Sequence, residues 1–580
     1  MSKDWIIAQT DPRCEGLASQ LGVTPMVASV LLNRGLDDPA AARQFMRPQL
    51  KDLLAPETLP GVTEAAEHIA AAVRNRHKIV IYGDYDVDGI TGTAILWRCL
   101  RLAGADVDFY VPHRLEEGYG INGEALRRLA ETGTKLVVSV DCGITAKAAA
   151  AVAAEVGLEL IVTDHHTIDP DNVPDATVLV HPGLDGETAQ RDLSGAGVAF
   201  KLAWALAQTF CNATRVTNEY RTCLLDAVSL AALGTIADVV PLTGENRIIT
   251  HYGLSVLKTS ALPGVAALID SAGLGKDTVT STHVGFNLAP RLNAAGRMGH
   301  ARLAVELLTR ADDARAREIA IYLAEQNRQR QSVERKTRKH ACELVAAGKL
   351  TSDANRGLVV AAEGWHAGVI GIVASRLVDE FSRPTVMLAI DGDTAQGSAR
   401  GIRHFNMHEA LMQCSEHLET YGGHAMAAGL KLKTENIEAF TRSFVEHANQ
   451  TLTAADLRPK LRLDGQVALA EVTEPVVTAL GQLEPFGVGN PKPRFATDWV
   501  ELVGEPRVVG KSGDHLQFSV REDGTVRKAI AFGQAKHLDR LGDERRCRVA
   551  FIPILNHFNG RTSVELEVVD FKFPGDDEAA

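Results

Sequence analysis

Three aspartates are crowded into one short segment of the sequence, Gly83-Asp84-Tyr85-Asp86-Val87-Asp88-Gly89. The segment follows residues 78–82, a β-branched run that predicts a buried strand, and a helical stretch rich in Ala and Leu begins at Thr91. In open α/β sheets, ligands bind where the strands end at their carboxyl edge. Carboxylates this close repel one another unless cations neutralise their charge. The pattern therefore predicts a cation site, and a solvated acidic turn is the structural alternative.

A calcium-binding loop of the EF-hand type does not fit the residues around this segment. Such a loop needs a Glu six residues after its Gly and lies between two helices. The corresponding position holds Ile95, and the flanking patterns predict a strand and a helix. The three carboxylates therefore need a different explanation.

Two further predicted strands end in residues that can bind metal. Residues 136–140 run into Asp141, and residues 160–163 run into Asp164-His165-His166. One aspartate after a strand is most often a helix N-cap, and a single histidine is most often structural. Three strands with such ends favour a metal site, because mixed carboxylate and imidazole ligands suit Mn²⁺ or Mg²⁺. Shared carboxylates can bridge two ions about 4 Å apart, and such a pair activates water and stabilises the charge that develops in phosphoryl transfer.

The elements around these residues alternate between strands and helices, which indicates a parallel sheet with crossover helices. After the first strand the pattern predicts strand 107–111, helix 123–130, strand 135–140, helix 146–156, strand 158–162 and strand 177–180. A helical pattern almost free of Gly and Pro spans about 302–347, as expected for a connector between domains. A second α/β unit follows, with strand 358–361, helix 369–378 and strand 385–388. The chain is β-rich beyond about 455, which suggests a small barrel or sandwich.

The composition is that of a soluble globular protein. The chain has 580 residues, enough for three or four domains, with a hydrophobic fraction of 45% and a charged fraction of 23%. Its start lacks a signal-peptide layout, and no uncharged apolar stretch is long enough to span a membrane. The eight cysteines are scattered without regular spacing, which indicates reduced thiols in a cytosolic protein. The formal net charge of −12 argues against a generic nucleic-acid coat protein.

Positive charge is nevertheless concentrated in residues 326–339 of the long helical pattern. The cations there are Arg328, Arg330, Arg335, Lys336, Arg338 and Lys339. A solvated helix face is the commoner meaning of such a run. Beside a metal site suited to phosphoryl transfer, a basic channel for a single nucleic-acid strand is the better interpretation. An acidic chain can bind DNA if its positive charge is gathered in one channel.

The segment Gly510-Lys511-Ser512 superficially resembles a nucleotide-binding loop. A Walker loop needs another Gly five positions before the Gly of its G-K-S, where this chain has Glu505, and it must precede a helix. Here the segment lies between two predicted strands. We therefore expect hydrolysis that does not use ATP.

The residues at the strand ends also carry a resemblance to a known family. Asp86, Asp88, Asp141 and the triplet Asp164-His165-His166 resemble the DHH phosphoesterase superfamily. Residues 231–242 (AALGTIADVVPL) resemble its fourth motif, with Asp238 as the last metal ligand. Residues 422–429 (GGHAMAAG) resemble the signature of its associated second domain, DHHA1. With Asp84 in the first motif and a β-rich C-terminus, the chain closely resembles the bacterial branch that digests single-stranded DNA from the 5′ end.

The resemblance implies the organisation of the whole chain. The chain is expected to comprise an N-terminal region (1–60), a parallel-sheet DHH catalytic domain (61–300), a long basic connecting helix (301–349), an α/β DHHA1 substrate-binding domain (350–454) and an OB-like nucleic-acid-binding domain (455–575). The implied function is metal-dependent 5′→3′ hydrolysis of single-stranded DNA to 5′-mononucleotides, in the cytoplasm, in recombination and repair. The implied partners are single-stranded DNA, a single-strand DNA-binding protein and a helicase, with no membrane.

The resemblance also assigns roles to individual residues. One of two Mn²⁺ or Mg²⁺ ions is expected to bind Asp84, Asp86 and Asp141, and the other Asp88, Asp141, His165 and Asp238, with Asp141 shared. His166 is expected to face the scissile phosphate, and Asp164 to orient the histidines. The expected substrate-binding residues are Arg114, Arg291, Asn293, Arg297, Arg376, Ser398, Arg400 and His424, among which Arg114, Ser398 and Arg400 form the pocket for the 5′-phosphate.

Two alternatives compete with this interpretation. One is a DHH phosphodiesterase for nano-RNA or cyclic dinucleotides, but those relatives are usually shorter or membrane-tethered and lack the C-terminal domain. The other is a catalytically dead relative that serves as a replication scaffold. That hypothesis predicts the loss of metal carboxylates, yet Asp86, Asp88, Asp141 and Asp238 are all present.

Overall fold

The computed structural model describes residues 3–113, 117–184, 186, 190–275, 279–297, 300–352 and 354–576. These residues form two compact units. The larger unit contains residues 7–324 and 463–580, and the smaller one contains residues 1–6 and 325–462. All eight cysteines lie in the described ranges and are free thiols.

The N-terminal region is a short strand followed by four helices: β1 (Asp4–Ile7), α1 (Cys14–Leu21), α2 (Pro25–Asn33), α3 (Pro39–Met46) and α4 (Val62–Arg74). Helix α3 begins at a proline and is capped by Asp38, whose side chain accepts a hydrogen bond from the amide of Ala41. The apolar faces of α1 to α3 pack in one core with the C-terminal barrel.

A parallel sheet forms the centre of the larger unit. Its strands and the helices between them are β2 (Lys78–Gly83), α5 (Val87–Leu102), β3 (Val107–Tyr110), α6 (Gly123–Glu131), β4 (Thr134–Val140), α7 (Lys147–Glu155), β5 (Glu159–Thr163) and β6 (Val178–Val180). The strand order is β3-β2-β4-β5-β6, with all pairs parallel. The chain leaves β2 for one side and returns at β4 on the other, so the sheet has a topological switch point between these strands.

Helices complete the larger unit after β6. They are α8 (Gly195–Cys211), α9 (Asn218–Ala237), α10 (Gly244–Lys258), α11 (Pro263–Ser271), α12 (Ser281–His283), α13 (Ala289–Arg297) and α14 (Ala301–Thr309). Their apolar residues form one core with α4, α5 and the sheet. A π-helical turn, Val284–Leu288, links α12 and α13.

Helix α9 is long and apolar enough to cross a membrane by length and composition, with a mean hydropathy of 1.2 over 18 residues. Two bent pairs, α1 with α2 and α10 with α11, also meet this test when each pair counts as one span. In the structure 56% of the α9 window is buried inside the protein, where α9 packs against α5, α8 and α10. Core packing therefore accounts for the apolar character of α9.

The expected single helix over 302–347 is wrong in one respect, because the helical pattern is broken. Helix α14 ends at Thr309, and α15 (Asp313–Ala347) is a separate helix of 35 residues. The break is stabilised by Asp312, whose side chain accepts a hydrogen bond of 2.8 Å from the amide of Arg315. An aspartate in this position caps a new helix.

The smaller unit is a second α/β fold. Its elements after α15 are β7 (Leu358–Glu363), α16 (Ala367–Phe381), β8 (Thr385–Asp391), β9 (Thr394–Arg400), α17 (Met407–Gln413), β10 (Thr420–Gly423), β11 (Ala427–Lys433) and α18 (Ile437–Thr451). The strand order is β10-β11-β9-β8-β7, in which β7 and β8 are parallel and the other neighbours are antiparallel.

The C-terminal part is a barrel of short and long strands. Strand β12 (Lys460–Leu463) precedes the barrel, whose elements are β13 (Gly465–Gln466), α19 (Glu474–Gly481), β14 (Phe495–Ala496), β15 (Val500–Val509), β16 (His515–Glu522), β17 (Thr525–Ala531), α20 (Leu538–Glu544), β18 (Arg546–Phe558) and β19 (Arg561–Lys572). The order β18-β15-β16-β17-β19 closes when β19 pairs with β18. Strand β12 pairs with β1. The predicted fold class, multidomain α/β with a C-terminal β-rich domain, is confirmed.

Candidate metal centre

Three aspartates stand one residue beyond three neighbouring strands, and their backbones are fixed by the sheet. The amides of Asp84, Asp141 and Asp164 donate to the last carbonyls of the adjacent strands, at 3.1, 3.0 and 3.2 Å. Asp141 has a φ of 63°, in the left-handed region, so its backbone turns sharply where β4 ends. The carboxyl edge of the sheet therefore places these three residues at neighbouring strand ends.

The other two aspartates of the first segment are placed by the start of α5. Asp86 is its N-cap, and Oδ1 accepts hydrogen bonds from the amides of Asp88 and Gly89 at 2.9 and 3.2 Å. The side chain of Asp88 is completely buried. Its Oδ2 accepts a hydrogen bond of 2.5 Å from the amide of Gly195, and its Oδ1 accepts one of 3.0 Å from the amide of Ala196. The N-terminus of α8 thus orients this carboxylate and favours its negative charge.

The six predicted metal ligands, together with His166, fall into three groups that could each hold a cation. The groups are Asp84 with Asp86 and Asp141, Asp88 with His165 and Asp238, and Asp141 with His165 and His166; within each group the ligand atoms lie within 4.8 Å of one another. Asp238 reaches the site from the end of α9, which lies far along the chain from the strand ends. Asp141 and His165 each belong to two groups, so the groups are parts of one centre.

The buried donor atoms of this centre fit a metal ion. Nε2 of His165 lies 3.1 Å from Oδ1 of Asp141, and within the described residues neither atom has a hydrogen-bond partner. The same nitrogen lies 3.8 Å from Oδ2 of Asp88 and 3.6 Å from Oδ2 of Asp238. Two ligands at right angles around a cation at about 2.1 Å lie about 3 Å apart. The lone pairs of Nε2 of His165 and Oδ1 of Asp141 face one another at this spacing, and a cation bound by both atoms would satisfy them.

The electrostatics of the centre also favour a cation. Burial and the charge of Asp86 raise the pKa of Asp88 to about 7, and burial and Asp88 raise the pKa of Asp238 to about 9. The pKa of Asp141 is raised well above its usual value by burial and by Asp88. Burial and the neighbouring His166 lower the pKa of His165 to about 4, so its imidazole is neutral and can act as a ligand.

The third strand end forms a charged pair. Oδ1 of Asp164 lies 2.7 Å from Nδ1 of His166, and Oδ2 accepts a hydrogen bond of 2.9 Å from the amide of Ile144. Burial alone disfavours the imidazolium, but the hydrogen bond and charge of Asp164 raise the pKa of His166 to about 9. The hydroxyl of Tyr119 lies 3.2 Å from Nε2 of the same ring. His166 is therefore cationic at neutral pH and is held from two sides.

Two glycines that the sequence analysis did not single out shape the centre. A Cβ atom on Gly195 would lie 2.6 Å from Oδ1 of Asp141, and one on Gly234 would lie 2.5 Å from Oδ1 of Asp88. Gly195 begins α8, whose first amides bind Asp88, and Gly234 lies in the last turn of α9, which ends at Asp238. Their signal in the sequence is weak, because glycine near a helix end usually reflects local conformation.

The residues predicted to touch the strand from α13 have contacts inside the protein. The guanidinium of Arg291 donates to the carbonyls of Asn287 and Ser271, at 2.6 and 3.3 Å. Oδ1 of Asn293 accepts a hydrogen bond of 3.1 Å from the amide of Val87, which places the Asn293 side chain against the start of α5. Arg297 is the last residue of α13. Arg114 lies outside the described residues.

The remaining predicted substrate-binding residues lie in the smaller unit. Nη1 of Arg400 donates a hydrogen bond of 3.0 Å to Oγ of Ser398, and both side chains approach Gly371 of α16. Arg376, also on α16, is half exposed and lies 3.6 Å from a carboxylate oxygen of Glu334. His424 is exposed between β10 and β11. The structure therefore brings Ser398 and Arg400 together and leaves His424 open to solvent.

The basic stretch of α15 is partly neutralised. Arg328 pairs with Glu325 and Arg338 with Glu380, both at 2.7 Å, and Arg330 is buried against Glu334 at 3.0 Å. Lys339 lies 3.9 Å from Glu343. In the ranges that the structure covers, the exposed Arg335 and Lys336 form no ion pair. The local positive charge is consequently smaller than the sequence suggests.

A parallel sheet with aspartates and the Asp-His-His triplet at its strand ends defines a phosphoesterase of the DHH type. Family comparisons match residues 78–231 to the DHH family, N-terminal domain, residues 355–450 to the DHHA1 domain and residues 463–570 to the RecJ OB domain. The chain belongs to the RecJ family of single-stranded-DNA-specific exonucleases.

Individual relatives support this assignment. The chain is 39% identical over 570 residues to the single-stranded-DNA-specific exonuclease RecJ of Bacillus subtilis, covering 98% of this chain and 70% of the relative. The crystal structure of Thermus thermophilus RecJ in complex with Mn²⁺ superposes with a TM-score of 0.83 at 32% identity, covering 98% of this chain and 80% of that one. The same protein in complex with Mg²⁺ gives a TM-score of 0.77 at 30% identity, covering 98% and 78%.

Proposed function

We propose that this chain is a metal-dependent exonuclease that hydrolyses single-stranded DNA from its 5′ end to 5′-mononucleotides. The observation that carries the proposal is the convergence of Asp88, Asp141, Asp238 and His165 on one buried centre, in a chain of the RecJ family. Two ions, Mn²⁺ or Mg²⁺, are expected there, in keeping with the ions bound by the Thermus relative.

The proposed division of ligands follows two of the three groups, with Asp141 added to the group of Asp88, His165 and Asp238. The third group contains His166, whose protonated ring would not act as a ligand. One ion is assigned to Asp84, Asp86 and Asp141, and the other to Asp88, Asp141, His165 and Asp238, with Asp141 shared. Such a pair of ions activates water and stabilises the charge that develops in phosphoryl transfer. The catalytic set is Asp86, Asp88, Asp141, His165, His166 and Asp238.

The protein's own residues hold and orient the substrate. The imidazolium of His166 supplies a positive charge and a hydrogen-bond donor for an oxygen of the scissile phosphate. Asp164 fixes the orientation of that ring through its hydrogen bond and keeps the ring protonated. Asp164 therefore acts through the histidine and does not itself need to touch the substrate.

Arginines are expected to recognise the remaining phosphates. Arg400 and Ser398, with Arg114, form the proposed pocket for the terminal 5′-phosphate, because a guanidinium can bind a phosphate through two parallel hydrogen bonds. The other proposed contacts to the strand come from Arg291, Asn293, Arg297, Arg376 and His424. A pocket that recognises a chain end converts a phosphodiesterase into an exonuclease.

The proposed domain organisation follows the sequence expectation. It assigns 1–60 to an N-terminal region, 61–300 to the catalytic domain, 301–349 to the connector, 350–454 to the substrate-binding domain and 455–575 to an OB platform for single strands. We place the enzyme in the cytoplasm, in recombination and repair, acting without ATP alongside a single-strand DNA-binding protein and a helicase.

A digestion experiment tests the proposed activity. The protein is incubated with Mn²⁺ or Mg²⁺ and single-stranded DNA labelled at either end, beside duplex DNA and a cyclic dinucleotide. The expected result is rapid release of labelled mononucleotide from the 5′ end, with duplex and cyclic dinucleotide intact. Release from the 3′ end first, or preferential cleavage of the cyclic dinucleotide, would overturn the proposal.

A further inference from the structure

The loop that follows Asp238 has an unusual backbone. Val239, the next residue, has a φ of 65° and a side chain that is 64% exposed. The left-handed region is strained for a β-branched residue, so the surrounding structure must hold this conformation in place. Asp238 caps the end of α9 and directly precedes this loop, residues 239–243.

A segment of the C-terminal part holds the far end of that loop. This segment, residues 484–490 (EPFGVGN), is called here the C-terminal loop. The carbonyl of Val488 accepts a hydrogen bond of 2.8 Å from the amide of Leu242. Cβ atoms on Gly487 and Gly489 would lie 2.7 Å from Cδ1 of Leu242 and 3.1 Å from Cγ2 of Thr243. The two loops are therefore in close contact, and larger side chains would separate them.

Other hydrogen bonds hold the C-terminal loop in place within the larger unit. The buried guanidinium of Arg247, in the first turns of α10, donates to the carbonyl of Glu484 at 3.1 Å and to that of Phe45 at 2.7 Å. Oγ of Ser281 donates to the carbonyl of Phe486 at 2.8 Å. Asn490 is fully buried and its Nδ2 donates to the carbonyls of Leu483 and Pro485 at 2.8 and 2.9 Å. The segment is thus rigid where it touches residue 242.

We infer that the C-terminal loop is a positioning element of the metal centre, and that it holds Asp238 through Leu242. The C-terminal domain then has a role beyond contact with single-stranded DNA. Groups that orient a metal ligand from outside typically contribute about 10- to 100-fold to metal affinity. This inference rests on the proposed function, because it assumes that Asp238 is a metal ligand.

The test replaces Gly487 by valine in the full-length protein. Leu242 is only 2% exposed, so it has little room to move away from the added methyl groups. We expect Mn²⁺ affinity, measured by calorimetry, to fall about tenfold. Cleavage at saturating Mn²⁺ and DNA binding in EDTA are expected to stay near the wild-type level, since the defect lies in metal affinity.

Matched variants separate positioning from a folding defect. Gly481→Ala is the control, because a Cβ at Gly481 has open space in the same domain. The double variant Gly487→Val with Leu242→Ala removes the clash and is expected to regain Mn²⁺ affinity. If Gly487→Val does not fold, Gly487→Ala replaces it, because its single methyl group meets the same atom of Leu242.

The outcomes distinguish the two proposals. Wild-type Mn²⁺ affinity in a folded Gly487 variant would overturn the inference and leave the proposed function intact. Weakened DNA binding with unchanged Mn²⁺ affinity would also overturn it. Failure of the wild-type protein to bind Mn²⁺ or to digest single-stranded DNA would overturn the proposed function, and the inference with it.

Discussion

Gly195 packs directly against Asp141, so that a methyl group at its Cα would lie 2.6 Å from Oδ1 of that carboxylate. The amide of the same glycine donates to Oδ2 of Asp88. One residue at the start of α8 therefore fixes the spacing of two candidate ligands. We expect Gly195→Ala to displace Asp141 and to lower the rate of cleavage about 10- to 100-fold.

The measurement for Gly195→Ala is the initial rate of nucleotide release at a fixed Mn²⁺ concentration. Gly542→Ala is the matched control, because a Cβ on this helical glycine has open space. Equal rates for the two variants would contradict the close packing of Gly195 against the ligand.

Removal of the shared carboxylate should abolish the reaction. Asp141→Ala deletes a side chain that belongs to two of the three candidate groups. We expect kcat to fall about 1000-fold or more, a loss of several kcal/mol of transition-state stabilisation. Binding of single-stranded DNA, measured by fluorescence anisotropy, should change little. Asp175→Ala, at an exposed position, serves as the control, and full activity of Asp141→Ala would refute the shared-ligand assignment.

The pair formed by Asp164 and His166 predicts a pH effect. The raised pKa of about 9 means that the histidine is charged below that pH and loses its proton above it. Asp164→Asn removes the carboxylate charge, so the pKa of His166 should fall and the alkaline limb of kcat/KM should move to lower pH. The profile is measured with Mg²⁺, and Asp169→Asn is the control. An unchanged limb would exclude His166 as the titrating group.

Metal binding should release protons. The raised pKa values of Asp88, about 7, and Asp238, about 9, mean that the metal-free native state holds protons that the unfolded chain has lost. The free energy of unfolding of the metal-free protein should therefore decrease as pH rises from about 4 to about 9. Mn²⁺ affinity should increase over the same range, because the cation displaces these protons.

Calorimetry in two buffers of different ionisation enthalpy measures the released protons directly. Denaturation of the metal-free protein between pH 6 and pH 9 measures the accompanying loss of stability. If stability rose with pH, the carboxylates would not be protonated in the native state.

Arg400 should confer a preference for a phosphorylated end. Its loss removes charge-assisted hydrogen bonds, which are worth about 1.5 to 3 kcal/mol, or roughly 10- to 150-fold. We expect Arg400→Ala to lower kcat/KM by this factor for 5′-phosphorylated strands and to leave 5′-hydroxyl strands nearly unaffected. Arg442→Ala, an exposed arginine of the same unit, is the control. An equal loss for both substrates would assign Arg400 to general DNA binding.

The strand ends of the site could be predicted from the sequence because, at each of them, an apolar run typical of a buried strand is followed directly by an aspartate. The start of α5 at Val87 differs from the expected Thr91, since Asp86 caps the helix and brings Asp88 into its first turn. The contact between Asp88 and Gly195 could not be predicted, because the two residues are 107 positions apart and meet only when α8 packs on α5.

Charge was the least predictable property. Residues 326–339 are basic in sequence, yet Arg338 is paired by Glu380, which comes from a different helix. The sequence of a basic segment reveals its positive charge, but it does not reveal the carboxylates that the tertiary structure places beside it. The net charge of −12 is uninformative for the same reason, because several of the acidic residues meet at the metal centre.

The bond from Arg247 to the carbonyl of Glu484 joins residues 237 positions apart. A ribosome that adds 5 to 20 residues per second needs roughly 10 to 50 s to make the intervening chain. During that time the newly made catalytic sheet lacks the segment that steadies its last ligand. The order of synthesis therefore delays the completion of a DNA-degrading site until the C-terminal loop has emerged.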